Sequence, residues 1–314
     1  MIVLTGADAA PAGLGPTAVT IGKFDGVHIG HQRVLARLRG VALERGLAPV
    51  AVTFDRNPLS LLRPEACPLP LVSNTQKLDL LADQGMAATL VLRFDRAFSE
   101  QSPEQFVDRV ITHLDARVVL VGSDFRFGAR GSGTVDTLRE LGATRGFTVE
   151  VIDEVDGDAP GGPRRASSTW VRELLDAGDA RAAADLLGRE HRIRSIVVHG
   201  AKRGRELGYP TANLDPQLEG FVPRDGVYAT RTIVDGVAYP SVTSVGNNPT
   251  FDGVPEKQVE SHLFDVAIDL YDRPVEVAFV DYVRPMQRFD GIDSLVTQMH
   301  SDEARVRGLF GLAG

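Results

Sequence analysis

Thr17-Ala18-Val19-Thr20-Ile21 runs without a break into Gly22-Lys23-Phe24-Asp25-Gly26-Val27-His28-Ile29-Gly30-His31, and residues 32–45 follow with helical spacing. A short β-prone run, a turn punctuated by glycines and a helix start together read as the opening of a parallel β-α-β unit. The two histidines stand three apart at the helix start and share one face, where exposed backbone N–H groups favour a phosphate. Gly26 and Gly30 let a phosphate oxygen approach the main chain closely. A pair of imidazoles at that place can donate hydrogen bonds to a phosphoryl group as charge builds on its oxygens. That suits transfer at the α-phosphate of a nucleotide. Surface or capping histidines are the bland alternative, and the strand before, the glycines and the helix after weigh against it.

Outward from this stretch, apolar runs at 50–54, 89–92, 118–121 and 148–152 alternate with segments long enough for crossover helices. The pattern predicts a doubly wound parallel α/β sheet. Ser102-Pro103-Glu104-Gln105 is a capping box with a first-turn proline, placed before Phe106, Val107, Val110 and Ile111. Ser168 opens a helix that runs toward Gly178, residues 179–187 read as a last helix, and 156–163 reads as a mobile loop. After Gly188 the chain becomes β-rich, with alternating runs at 227–234, 237–245, 259–265 and 275–283. Asp235-Gly236 between two of these runs signals a two-residue type I′ hairpin. A small antiparallel β-barrel is expected, closed by a helix over about 292–309 with Leu295, Val296, Met299 and Val306 as its apolar stripe. The expected domains are 1–187 and 188–314.

The 314 residues are 43% apolar and 24% charged, ordinary proportions for a globular protein with room for two cores. Thirty-four cations against 42 anions give a formal charge of −8 and a pI near 5.4. Such a balance disfavours a polyanion or membrane-surface binder, while a few local donors still suffice for ATP. Cys67 is the single cysteine, so neither an internal disulfide nor a cysteine-rich metal site can form. Met1 to Pro11 lacks the basic start and apolar core of a signal peptide, and no stretch approaches the ~20 apolar residues of a membrane span. A cytoplasmic protein with small-molecule partners, no nucleic acid and no membrane is expected; oligomeric state is left open.

The second informative stretch is His199-Gly200-Ala201-Lys202-Arg203-Gly204-Arg205-Glu206-Leu207-Gly208-Tyr209-Pro210-Thr211-Ala212-Asn213. Its three glycines and three cations make a positive, backbone-rich loop able to surround phosphates, although it is no Walker A sequence. Thr211 and Asn213, two apart on an extended segment, point to one side. Their hydroxyl and amide oxygens are hard ligands suited to Mg²⁺ bridging to ATP.

His28-Ile29-Gly30-His31 after a first strand resembles the nucleotidyltransferase superfamily signature. With Phe24-Asp25-Gly26-Val27 in front, it looks like the bacterial riboflavin kinase and FMN adenylyltransferase family, the bifunctional FAD synthetases. Three more segments fall where that family has motifs. These are Thr53-Phe54-Asp55-Arg56-Asn57-Pro58, Val121-Gly122-Ser123-Asp124-Phe125-Arg126-Phe127-Gly128 and Ser167-Ser168-Thr169-Trp170-Val171-Arg172. The loop from Gly200 to Asn213 resembles the family's riboflavin kinase module. Pro223-Arg224-Asp225-Gly226-Val227-Tyr228-Ala229, Val245-Gly246-Asn247-Asn248-Pro249-Thr250-Phe251 and Val259-Glu260-Ser261-His262 follow in the family's order.

The resemblance implies a Rossmann-like adenylyltransferase domain followed by a barrel kinase domain. It implies catalytic roles for His28 and His31, with Gly22, Phe24, Asp25, Gly26, Gly30, Asn57, Asp124, Phe127, Ser167, Ser168, Thr169 and Arg172 around the nucleotide and flavin. In the second half it implies Gly200, Lys202, Gly204, Arg205, Gly208, Pro210, Asn248 and Arg284 as binding residues, Thr211 and Asn213 as Mg²⁺ ligands, and Glu260 as the base for the ribityl hydroxyl. His262, two residues on, reads as structural. Riboflavin, FMN and FAD would be the flavin substrates and products, with Mg-ATP as co-substrate. Three positions depart from the family pattern: Arg56 stands for its usual proline, Asn57 for its usual histidine, and Lys23 where asparagine is common. A riboflavin kinase with a weakened or lost first activity is therefore one alternative. Others are a different adenylyl acceptor, such as a nicotinamide or pantetheine phosphate, and a non-catalytic flavin-binding regulator.

Overall fold

The computed structural model describes residues 1–6, 14–153, 156–159, 162–200, 209–246, 257–266 and 268–312. They form two compact units, Met1–Ser167 and Ser168–Gly314. In the first unit, β1 (Ile2–Thr5), β2 (Thr17–Ile21), β3 (Ala48–Phe54), β4 (Ala88–Leu92), β5 (Ala116–Gly122) and β6 (Thr148–Ile152) make one sheet in the order β1-β4-β3-β2-β5-β6. Every pairing in it is parallel. The order reverses between β2 and its neighbours β3 and β5, which places the ligand crevice of a doubly wound sheet at the carboxyl end of β2. All five residues of β2 are buried, because a central parallel strand is covered on both faces and reads as a continuous apolar run.

Helices α1 (Ile29–Arg45), α2 (Leu59–Leu62), α3 (Asn74–Asp83), α4 (Arg96–Ser99), α5 (Pro103–Phe106) and α6 (Val135–Arg145) connect these strands. The Ser102 capping box is present, with the serine hydroxyl accepting from the N–H of Gln105. The helix it starts widens after Phe106 into a π turn over Val107–Thr112, which still buries Val107, Val110 and Ile111. Two expectations need correction. The first strand, β1, went unread; it is short and its outward side chains are half exposed. Much of the segment read as a mobile loop is instead a two-stranded antiparallel hairpin, β7 (Asp156–Ala159) with β8 (Gly162–Arg165). Backbone pairing defines this ribbon, and its Gly, Pro and Asp content hides it from a hydrophobic pattern.

The second unit opens with α7 (Ser168–Ala177) and α8 (Ala180–Leu187), so the helix expected to end the first domain lies in the other compact unit. Strands β9 (His191–Val198), β10 (Ala212–Leu214), β11 (Gly226–Val234), β12 (Val237–Gly246), β13 (Gln258–Leu263) and β14 (Pro274–Arg284) close a barrel in the order β10-β13-β12-β11-β14-β9. The β11–β12 hairpin turns at Asp235 and Gly236 with φ of 49° and 80°, the two left-handed positions that a type I′ turn requires. Val259, Leu263, Val275, Val277 and Phe279 fill the barrel interior. α9 (Ile292–Leu309) closes the unit as expected, although only Val306 of its predicted stripe is fully buried; Leu295, Val296 and Met299 are half-buried. Val306 lies against Val227, Ala229 and Val283 on the outer wall of the barrel.

His191 at the start of β9 is buried among Phe279 and its neighbours, and its Nε2–H donates to the carbonyl of Phe221 at 2.6 Å. Burial pulls its pKa down to about 4, against the partial counter-effect of that hydrogen bond. The neutral ring is thus favoured by folding. Its contribution is fully present above the unfolded value near 6.5 and is lost as pH falls from there toward 4, reaching about 3 kcal/mol. Urea unfolding of the barrel between pH 7 and 4 is expected to show this loss, and a His191→Gln variant should show a pH slope smaller by about one proton.

Candidate functional site

In the first unit the loop after β2 coils tightly before α1. Phe24, Gly26 and Val27 have φ of 49°, 79° and 41°, and a β-branched residue in the left-handed region is backbone strain of the kind stored at functional sites. Asp25 anchors the loop by accepting from the N–H of Leu71 at 2.8 Å. His28 sits at the N-cap of α1, yet its side chain does not cap the helix. The rings of His28 and His31 stack with centroids 3.8 Å apart; their spacing predicts that they share a face. A Cβ on Gly30 would come within 3.1 Å of the His28 ring, so glycine leaves the pair its space. Burial lowers the His31 pKa well below the ordinary histidine value, and His28, Lys23 and Arg165 add repulsion in the same direction. His31 is a neutral imidazole near pH 7, and its Nδ1 is buried without a protein hydrogen bond.

A cavity of about 280 Å³ opens beside this loop, lined by Lys23, Asp25, Phe54, Arg56, Asn57 and Lys77 among others. Asn57 Oδ1 accepts the N–H of Leu59, the first residue of α2, at 3.1 Å, while Arg56 leans on Asp55 at 3.4 Å. Lys77 was not anticipated. Its Nζ donates to the Phe54 carbonyl at 2.8 Å, and burial lowers its pKa against the pull of Asp25 and Asp55. The available signal was a lysine on the buried face of α3, four residues before Leu81. Asp124, at the carboxyl edge of β5, accepts from Arg165 at 2.8 Å. Phe127 belongs to the hydrophobic core beneath Gly133, whereas Phe125 stacks on it with centroids 5.5 Å apart and is only partly buried. Gly22 closes onto the Phe24 ring, and Ser167 is the last residue of this unit. Ser168 and Thr169 occupy the first turn of α7 in the second unit, where helix N–H groups point outward. Arg172 of the same helix is buried.

In the barrel, Asn213 of β10 stands directly opposite Glu260 of β13, and Glu260 stands opposite Ser244 of β12. Paired residues share a face. Val259 and Ser261 are buried inside, so the Asn213-Glu260-Ser244 row is on the outer wall. Asn213 Nδ2–H donates to Thr211 Oγ1 at 3.4 Å, so the two expected Mg²⁺ ligands are neighbours, with the amide nitrogen on the Thr211 side. A Cβ on Gly200 would lie 2.4 Å from the Asn213 amide; only glycine admits that approach. His262 donates a ring N–H to the Pro210 carbonyl at 2.8 Å, and Tyr209 shares a 2.5 Å hydrogen bond with His300 of α9. These contacts hold the segment before Thr211, consistent with a structural part for His262. Arg284 is committed to Asp302 through Nε and Nη2 at 2.8–3.0 Å and lies over Phe289. Lys202, Gly204, Arg205, Gly208 and Asn248 lie outside the described residues. Among the described residues no group of three or more His, Cys, Asp or Glu could hold a metal ion.

A parallel-sheet unit with a His-x-Gly-His loop, followed by a barrel with an outward carboxylate beside hard oxygen donors, defines a two-site nucleotide-dependent transferase. The FAD synthetase family pattern matches residues 11–165, and the riboflavin kinase family pattern matches residues 187–310. A bifunctional riboflavin kinase/FMN adenylyltransferase from Pseudomonas fluorescens is 40% identical over 291 residues, 92% of each chain. Relatives of the same description from Escherichia coli K12 and Bacillus subtilis are 38% and 34% identical over more than nine-tenths of this chain. The chain belongs to the bifunctional riboflavin kinase/FMN adenylyltransferase family. A solved Streptococcus pneumoniae chain described as a macrolide-efflux protein superposes with a TM-score of 0.86 at 30% identity, covering 98% of this chain and 99% of that one. Among the described residues here, no helix is long and apolar enough to cross a membrane.

Proposed function

We propose that the barrel unit transfers the γ-phosphoryl group of ATP to the 5′-hydroxyl of riboflavin, and that the parallel-sheet unit transfers AMP from a second ATP to the FMN formed, giving FAD and pyrophosphate. The observation that carries this reading is the outer-wall row Asn213-Glu260 with Thr211 beside it, in a chain that also holds the His28–His31 stack. Glu260 takes the proton of the attacking hydroxyl as its oxygen bonds to the γ-phosphorus and the bond to ADP breaks. Thr211 and Asn213 fit Mg²⁺ brought in with ATP: both offer neutral, hard oxygen atoms, and Gly200 leaves the Asn213 amide the space it occupies. The ion would neutralise phosphate charge. In the first unit, His28 and His31 stabilise the α-phosphate as FMN phosphate oxygen attacks and pyrophosphate leaves. Asp25 and Asp124 shape the rim, the latter by fixing Arg165, and Ser167 offers a hydroxyl suited to phosphate oxygens.

The proposed domain junction is 187/188; the riboflavin kinase match, which starts at residue 187, supports it, while α7 and α8 pack in the second compact unit. A cytoplasmic site of action is proposed from the single cysteine and the use of ATP.

Incubation with riboflavin or FMN plus Mg-ATP, followed by chromatographic separation of the flavins, tests the proposal. FMN and FAD from riboflavin, and FAD from FMN, are expected. FMN alone would favour a kinase whose first half has lost activity, the reading that Arg56 and Asn57 motivate. Binding of FMN without turnover would favour a regulator, and no flavin phosphorylation at all would favour another adenylyl acceptor. Gly200→Ala should displace the Asn213 amide and weaken apparent Mg²⁺ affinity in riboflavin phosphorylation by about 10–100-fold. A Mg²⁺ titration of that rate measures it, with adenylyl transfer unchanged as control.

A further inference from the structure

Five hydroxyl side chains inside the barrel, Thr230, Thr232, Ser241, Thr243 and Ser261, are completely buried. Thr230 meets Ser241 at 2.8 Å, Ser241 meets Thr232 at 2.9 Å and Thr232 meets Ser261 at 2.6 Å. Thr243 then donates to Ser261 at 2.9 Å and meets Thr230 at 2.6 Å. The contacts form a closed ring in which each O–H can donate to one neighbour and accept from the other. One contact, Thr232 to Ser261, joins β11 to β13 across the intervening β12. Thr230 and Ser241 also lie 3.2 Å from each other's carbonyl oxygens, so at that end the backbone can replace a lost hydroxyl.

Strand β13 alternates Val259, Ser261 and Leu263 inward with Gln258, Glu260 and His262 outward. A slip of one residue would drive Glu260 into the barrel and is forbidden by the cost of burying its charge. A slip of two keeps the alternation and is not excluded by hydrophobicity. It would carry Glu260 about 7 Å along the strand, away from Asn213. The ladders of β13 hold two residue pairs with β10 and six with β12, and a two-residue slip re-forms most of the longer one in the same alternation. What such a slip cannot preserve is the ring: Val259 or Leu263 would take the place of Ser261, break the ring and cost the hydroxyls of Thr232 and Thr243 one of their two ring partners each. We propose that the hydroxyl ring is a register key for the catalytic strand, and that Ser261 is a positioning residue which sets Glu260 opposite Asn213 and the phosphate donors. The inference rests on the reading of Glu260 as the base.

The test uses the full chain. Ser261→Ala should lower kcat for riboflavin phosphorylation by about 10²-fold, the scale of a misplaced catalytic group, with KM for riboflavin and ATP held within about twofold. FAD formation from supplied FMN stays unchanged, and Ser261→Thr, which keeps the hydroxyl, restores kcat. Thr230→Val opens the ring but leaves both contacts of Ser261, and should change kcat less than about twofold. Full kcat in Ser261→Ala, or an equal fall in Thr230→Val, overturns the proposal. Should Ser261→Ala fail to fold, the variant Thr230→Val/Thr232→Val/Ser241→Ala/Thr243→Val/Ser261→Ala, which strands no hydroxyl, is read in its place: folded with kcat reduced supports the key, folded with full kcat overturns it. Glu260→Ala is measured alongside. If that variant phosphorylates riboflavin normally, the base assignment fails; if it is inactive while Ser261→Ala is fully active, only the register key fails.

Discussion

Replacing Glu260 by alanine is expected to stop FMN formation from riboflavin while FAD still forms from supplied FMN. A positioned general base contributes about 10²–10⁴-fold, and the riboflavin hydroxyl, with a pKa far above 7, has no other described carboxylate on that wall of β10, β13 and β12. Initial rates of FMN appearance, read by fluorescence after chromatography, measure the loss. A variant that keeps more than a tenth of the wild-type rate would remove Glu260 from the mechanism. If both activities fell together in well-folded protein, the assignment of one reaction to each unit would be wrong.

The complementary loss is expected in the first unit. His28→Ala and His31→Ala should each lower FAD formation from FMN by about 10²–10³-fold, the cost of removing one preorganised donor to a developing oxyanion, while riboflavin phosphorylation continues. The pH dependence carries a sign that can be stated in advance. Because burial and neighbouring cations depress the His31 pKa, the ring remains neutral through the region where an exposed histidine protonates. The profile of kcat/KM for FMN, which reports the free enzyme, should therefore show no His31 break near 6.5 on acidification. A break there that disappears in His31→Ala would show that the ring works as a cation.

Much of this arrangement was legible from residue order because the informative features are local. The β2 strand, its loop and α1 lie within thirty residues, and the shared face of the two histidines follows from their spacing at the helix start. Asp235-Gly236 and the Ser102 capping box carry their conformations in their own residue types. Lys77 escaped because its hydrogen bond reaches back to the Phe54 carbonyl, a partner fixed only when β3 and α3 are packed. Phe127 looked like a ligand contact through its motif, but Gly133 makes room for its ring in the core. β1 and the β7–β8 hairpin depend on backbone pairing, which leaves little trace in side-chain alternation. The hydroxyl ring escaped for the opposite reason: Thr and Ser inside a barrel imitate the polar half of an alternating strand.

The barrel interior is filled by side chains, and the Asn213-Glu260-Ser244 row lies on its outer wall. Adjacent residues of β13 therefore answer to different demands. Gln258, Glu260 and His262 face outward, and with Glu260 as the proposed base a substitution at that position would alter turnover in a protein that still accumulates to normal levels. Val259, Ser261 and Leu263 face the filling, where substitutions would be felt through abundance or alignment. Across a saturation library of this one strand, the tolerance maps for catalysis and for yield should be out of phase by a single residue, except at Ser261, where catalysis falls as well.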